Sequence, residues 1–165
     1  MIKDFEFMMP TKVKFGSGAS KETGKIAIGL GGKNVLVVTD PGVKKAGIVD
    51  RVVENIKEEP GISKVIVYDE VQPNPRDVSV QKGYEIAKNE NIDILIAIGG
   101  GSPIDTAKGI GVLLAHGGHI RDYAIRRDGG DLLTNEIIPI IAIPTTVGTG
   151  SEVTCWAVIT DTERH

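Results

Sequence analysis

Residues 93–109 read DILIAIGGGSPIDTAKG. An unbroken apolar run meets three glycines and then residues that open helices. A run apolar at every position, not at every second one, predicts a strand over 93–100 that is buried on both faces. Ser102 is a good N-cap, and Pro103 suits the first helical position, where its missing N–H costs nothing. Asp105, three residues after Ser102, is spaced for a variant of the capping box. The segment 102–116 is expected to be the helix that follows.

The same alternation repeats on both sides. NVLVVT (34–39), KVIVY (64–68) and PIIAIPTT (139–146) are further apolar strands, and TCWAVITD (154–161) reads as one more, in a hairpin-like return. Residues 43–58 carry Val43, Ala46, Ile48, Val52, Val53 and Ile56 on one helical face and stop at Pro60-Gly61. A helix over 76–90 buries Val80, Tyr84, Ile86 and Ala87. Upstream, TKVKFG (11–16) reads as a short strand and 18–30 as a helix, while 117–136 is the one long irregular stretch. Apolar strands alternating with amphipathic helices predict an α/β fold with a doubly wound, mostly parallel sheet. Ligands of such sheets lie beyond the carboxyl ends of the strands.

Three such ends carry polar or glycine-rich loops. At 99–108, GGGSPIDTAK, glycines let a ligand approach the backbone, and the helix N-terminus that follows favours an anion such as a pyrophosphate. The residues alone also allow a glycine turn with no ligand, and the pattern is neither GxGxxG nor a P-loop. At 143–154, IPTTVGTGSEVT sets the hydroxyls of Thr145, Thr146, Thr149 and Ser151 around Gly148 and Gly150, where they can meet a phosphate, a ribose or an amide. At 39–42, TDPG places Asp40 where a carboxylate can bond adenosine ribose hydroxyls and repel a 2′-phosphate, favouring NAD over NADP. A plain helix-entry turn accounts for Asp40 equally well.

GGGSPIDTAKG (99–109) with AIPTTVGTGSEVT (142–154) resembles the two signature stretches of the iron-containing (group III) alcohol dehydrogenase family. KVKFGSGA (12–19), VTDPG (38–42) and PNP (73–75) match its pattern as well, so the resemblance spans nearly the whole chain. It implies a Rossmann-like, dehydroquinate-synthase-like N-terminal dinucleotide domain over 1–165. It also implies NAD contacts at Asp40, Asn74, Gly100, Gly101, Ser102, Thr145, Thr146, Thr149 and Ser151. It further implies NAD(P)-dependent interconversion of a small alcohol and its aldehyde or ketone, with iron or another divalent metal as Lewis acid. In that family the metal is held by an Asp and three His in a C-terminal helical domain. This chain's histidines are His116, His119 and His165. Gly117-Gly118 between the first two breaks any rigid ligand pair, so both read as solvated loop residues and no catalytic or metal residue is expected in this chain. The ending ITDTERH, without cap or turn signal, reads as a cut, and the fragment alone is expected to be inactive.

Composition agrees with these expectations. At 165 residues, 41% apolar and 25% charged, the chain is long enough for one globular core and is not of disordered type. A net charge of −3 argues against a nucleic-acid surface. The opening MIKDFEFMMPTKVKFG, with early acids and no sustained apolar run, is neither a signal peptide nor a membrane span. A single cysteine fits a reducing cytoplasm; Cys155 reads as a buried inert thiol and Trp156 as core or interface. Lys108 reads as an i,i+3 partner of Asp105 or as a solvated lysine. The 11–16 strand offers an edge for a homo-oligomer, and an apolar face left open by a cut invites association. Two other functions stay open: a stand-alone nucleotide- or phosphometabolite-binding module without catalysis, and a dehydrogenase of a related family acting on glycerol or sugar phosphates.

Overall fold

The protein is described here by a computed structural model covering residues 9–125 and 129–164. Four strands, β1 (Asn34–Thr39), β2 (Lys64–Tyr68), β3 (Ile94–Gly99) and β4 (Ile140–Pro144), form one sheet in the order β2-β1-β3-β4. Every pairing is parallel. Among the described residues five α-helices connect or flank them: α1 (Thr23–Gly29), α2 (Pro41–Lys45), α3 (Ile48–Lys57), α4 (Asp77–Asn89) and α5 (Gly101–His116). The chain leaves β1 for β2 on one side and β3 for β4 on the other. The carboxyl ends of β1 and β3 are therefore the topological switch point, where a sheet of this kind opens a crevice.

Side chains alternate between two cores. Val35, Val37, Ile94, Ile96 and Ile98 pack against Ala27 of α1 and Val49, Val52, Val53 and Ile56 of α3. Leu36, Val38, Leu95 and Ala97 face Val80 and Ala87 of α4 and Ile104, Ala107, Ile110 and Leu113 of α5. The doubly wound, parallel reading of the sequence holds, and the reason is visible here: β1 and β3 need apolar residues on both faces because both faces are covered.

Four local expectations are corrected. The helix expected over 43–58 is two helices, because Gly47 turns the chain at φ 70° between α2 and α3, leaving Ala46 exposed. Residues 11–16 form no strand: Val13 is 61% and Phe15 99% exposed, with no neighbouring strand beside them among the described residues. The segment 154–161 is not a strand either; among the described residues its one β-bridge is the parallel pair Thr160 and Arg76. Finally, Cys155 is not buried but lies on the surface, because this segment runs outside the sheet; Trp156 is exposed with it, which removes the core half of its reading.

Candidate cofactor site

The first wall of the site is the start of α5. The helix begins at Gly101, so Ser102 and Pro103 sit in its first turn, Gly100 is the N-cap, and no side chain caps it. The expected Ser102 cap and the Ser102–Asp105 capping box do not form, because Asp105 turns inward. It is 6% exposed, and its Oδ2 accepts a hydrogen bond from Val158 N at 2.9 Å. An uncapped helix start leaves its first amides without carbonyl partners and places the positive end of the helix dipole there.

The glycines serve a purpose the sequence did not reveal. A Cβ on Gly99 would lie 2.5 Å from Pro103 Cγ, one on Gly100 3.2 Å from Thr146 Oγ1, and one on Gly101 3.1 Å from Ser151 Oγ. Bareness at Gly99 makes room for Pro103, while bareness at Gly100 and Gly101 lets the 145–151 loop close onto the head of α5, with Thr145 N donating to Gly99 O at 2.9 Å. Within that loop, Ser151 is buried, Thr145, Thr146 and Thr149 are exposed, and Thr149 Oγ1 donates to Glu152 at 3.3 Å.

Asp40 follows β1 and caps α2. Its Oδ1 accepts from Gly42 N at 2.9 Å and Val43 N at 3.0 Å, while its Oδ2 lies 3.2 Å from the Cβ position of Gly99. The carboxylate thus sits between the ends of β1 and β3, and helix entry and placement at the switch point are one arrangement. Asn74, an exposed residue at φ 55°, comes in from the β2–α4 loop, in the left-handed region that asparagine tolerates.

The β2–α4 loop, the head of α5 and the segment around 158–160 bound an open cleft of about 300 Å³ lined by Asn74, Pro75, Gly101, Ser102, Asp105, Val158 and Thr160. Of the residues expected from the sequence, Asn74, Gly101 and Ser102 line it directly. Gly100, Thr146, Thr149 and Ser151 meet at the adjoining loop contact, and Asp40 lies next to Gly99. Sequence reasoning missed Asp105, Val158 and Thr160. Asp105 carried a signal, a carboxylate one turn into a glycine-headed helix, but it was assigned to capping. Val158 and Thr160 carried none.

The donor set fits a dinucleotide: amides and a dipole for phosphates, hydroxyls for amide or ribose, a carboxylate for ribose. Among the described residues no group of three His, Cys, Asp or Glu side chains is placed to hold a metal ion. His116 and His119 are not the solvated loop groups expected from the sequence. His116 Nδ1 bonds Val112 O at 3.1 Å and its Nε2 accepts from Asn135 N at 2.9 Å, while His119 Nδ1 accepts from Arg121 N at 3.2 Å. Both organise the turn that follows α5.

The sequence profile described as "Iron-containing alcohol dehydrogenase" matches residues 10–165. The chain belongs to the iron-containing alcohol dehydrogenase family. It is 51% identical over its whole length to choline dehydrogenase of Bacillus subtilis (strain 168), covering 40% of that protein. It is 42% identical, over 96% of its length and 40% of the relative's, to the NAD-dependent methanol dehydrogenase of Bacillus methanolicus. The crystal structure of a 1,3-propanediol oxidoreductase superposes on 98% of this chain, and 41% of its own, with a TM-score of 0.87 at 39% identity. Sulfoacetaldehyde reductase from Bifidobacterium kashiwanohense, in complex with NAD+, does so with a TM-score of 0.83 at 29% identity, covering 98% of this chain and 41% of that one. The chain thus spans about two-fifths of the length of these iron-containing alcohol dehydrogenase relatives. The resemblance carried by the glycine and threonine motifs is borne out in family and in fold.

Proposed function

We propose that residues 1–165 are the dinucleotide-binding domain of an NAD(H)-dependent oxidoreductase that interconverts a small primary or secondary alcohol and its aldehyde or ketone by hydride transfer. The observation that carries this reading is the meeting, at the switch point of a parallel sheet, of an uncapped helix start with a hydroxyl-rich loop that closes onto it. Relatives whose names specify NAD and alcohols or diols support it.

In this reading the amides of Gly101 and Ser102 hold the pyrophosphate, with Gly100 letting the loops close. Asp40 takes the adenosine ribose and disfavours a 2′-phosphate. Asn74 reaches the cofactor from the β2–α4 loop, and Thr145, Thr146, Thr149 and Ser151 enclose it from the opposite side. Iron or another divalent metal would supply Lewis-acid polarisation of the substrate oxygen. The described residues do not form a site for it, and we assign it to a C-terminal helical domain beyond this chain. No described helix is long and apolar enough to cross a membrane, and one cysteine suits a reducing cytoplasm, the setting we propose. Exposed Val13 and Phe15 are the surface we assign to a homo-oligomer contact.

Calorimetric titration with NADH and, separately, NADPH tests the cofactor reading. The expected result is saturable NADH binding, with NADPH weaker by about tenfold or more through repulsion at Asp40. Equal affinities would remove the role of Asp40, and binding of neither would remove the site.

A further inference from the structure

The segment 154–163 forms one wall of the cleft through Val158 and Thr160, yet it belongs to no sheet. Ile159 packs against the α4–α5 core, but Trp156 and Val158 are 59% and 77% exposed, so apolar burial contributes little to holding those two. Polar contacts fix the backbone on either side of Ile159. At its far end Thr160 N donates to Pro75 O at 2.8 Å, and Thr162 Oγ1 donates to the buried Asp77 at 2.8 Å. At its near end the partners are two side chains of α5. Asp105 accepts from Val158 N, and Lys108 Nζ donates to Thr154 O at 2.7 Å and Trp156 O at 2.6 Å.

The chain bends at Cys155, and the carbonyls of Thr154 and Trp156 on either side of the bend both face Lys108. One ammonium, with three donors, meets both. Its remaining side faces the Asp105 carboxylate at 3.7 Å. The Lys108 side chain is only 15% exposed, and this burial lowers its affinity for the proton, with the Asp105 charge opposing. A buried ammonium is retained only where such acceptors compensate it. Lys108 itself is not among the residues lining the cleft.

We propose that Lys108 is a positioning residue of the cofactor cleft: by holding the carbonyls of Thr154 and Trp156 it sets the wall that Val158 and Thr160 present to the dinucleotide. The inference rests on the NAD(H) reading above.

The test combines NADH calorimetry with hydrogen exchange on the protein and its Lys108→Met and Lys108→Arg variants. Lys108→Met, close in shape but without donors, is expected to weaken NADH binding about tenfold and to speed exchange at Val158 and Thr160, leaving the amides of β1 and β3 protected. Lys108→Arg keeps donors for both carbonyls and is expected to bind within about threefold of the parent. In the unaltered protein, NADH is expected to slow exchange at Val158 and Thr160; this measurement stands even if Lys108→Met does not fold. Unchanged NADH affinity in Lys108→Met, an Arg variant as weak as the Met variant, or no NADH-dependent protection of 158–160 would each overturn the positioning role alone. A parent protein that binds neither NADH nor NADPH would overturn the NAD(H) reading and this inference with it.

Discussion

Ile96 of β3 and Ile141 of β4 are register partners in adjacent parallel strands and face the same core, yet Ile96 is fully buried while Ile141 is half-buried. The whole strands repeat the contrast. ILIAIG is buried at all six positions, whereas IIAIP is half-buried at four and exposed at the fifth. The two segments are equally apolar. What separates them is sheet order: β3 lies between β1 and β4, while β4 is an edge of the sheet described here. Hydrophobicity along the chain marks a strand that can be buried on all sides; neighbours decide whether it is.

The sharpest way to break the comparison is to truncate both partners. Ile96→Ala opens a cavity with no route to solvent and is expected to cost ~2–5 kcal/mol of unfolding free energy in a urea titration.

The opposite edge supplies the next effect. β2 is half-buried from Lys64 to Val67, but Tyr68 at its carboxyl end is 2% exposed, with its hydroxyl donating to Ser79 O at 2.9 Å. Burial pushes its phenol from the ordinary 10.0 up to about 12. The folded state holds this proton more tightly than the unfolded state does. The contribution is therefore complete below pH 10 and is lost as pH rises from there towards 12. Over that window the parent is expected to lose ~2–3 kcal/mol relative to Tyr68→Phe, read from urea midpoints at each pH. Parallel curves would show that this edge position is wetter than it looks.

The smallest effect is expected at Ile141→Ala, about 1 kcal/mol, since part of the side chain's surface is already in water. A cost equal to that of Ile96→Ala would mean that something covers β4 in solution, and the contrast between the two strands would collapse.

These particulars show how far the sequence could be read. Both central strands, α5 and the switch-point glycines were legible, because continuous burial and a strand-to-helix turn each demand distinctive residues. The 11–16 and 154–161 segments misled, since TKVKFG and TCWAVITD have strand composition without strand partners. Asp105 misled because a carboxylate three residues after a serine has the spacing of a capping box. Its true partner, Val158 N, is 53 positions away and invisible to local pattern.

The sequence by itself determined the alternation of buried strands and amphipathic helices, the parallel sheet that follows from it, and the two motifs that mark the family. Each of these depends on short-range periodicity or on residues the local backbone requires. Only the tertiary structure decided that the glycines make room for the threonine loop, that Asp105 and Lys108 hold the 154–163 segment, and that equally apolar strands differ in burial. Those outcomes depend on which distant segments come into contact, and spacing along the chain does not encode contact.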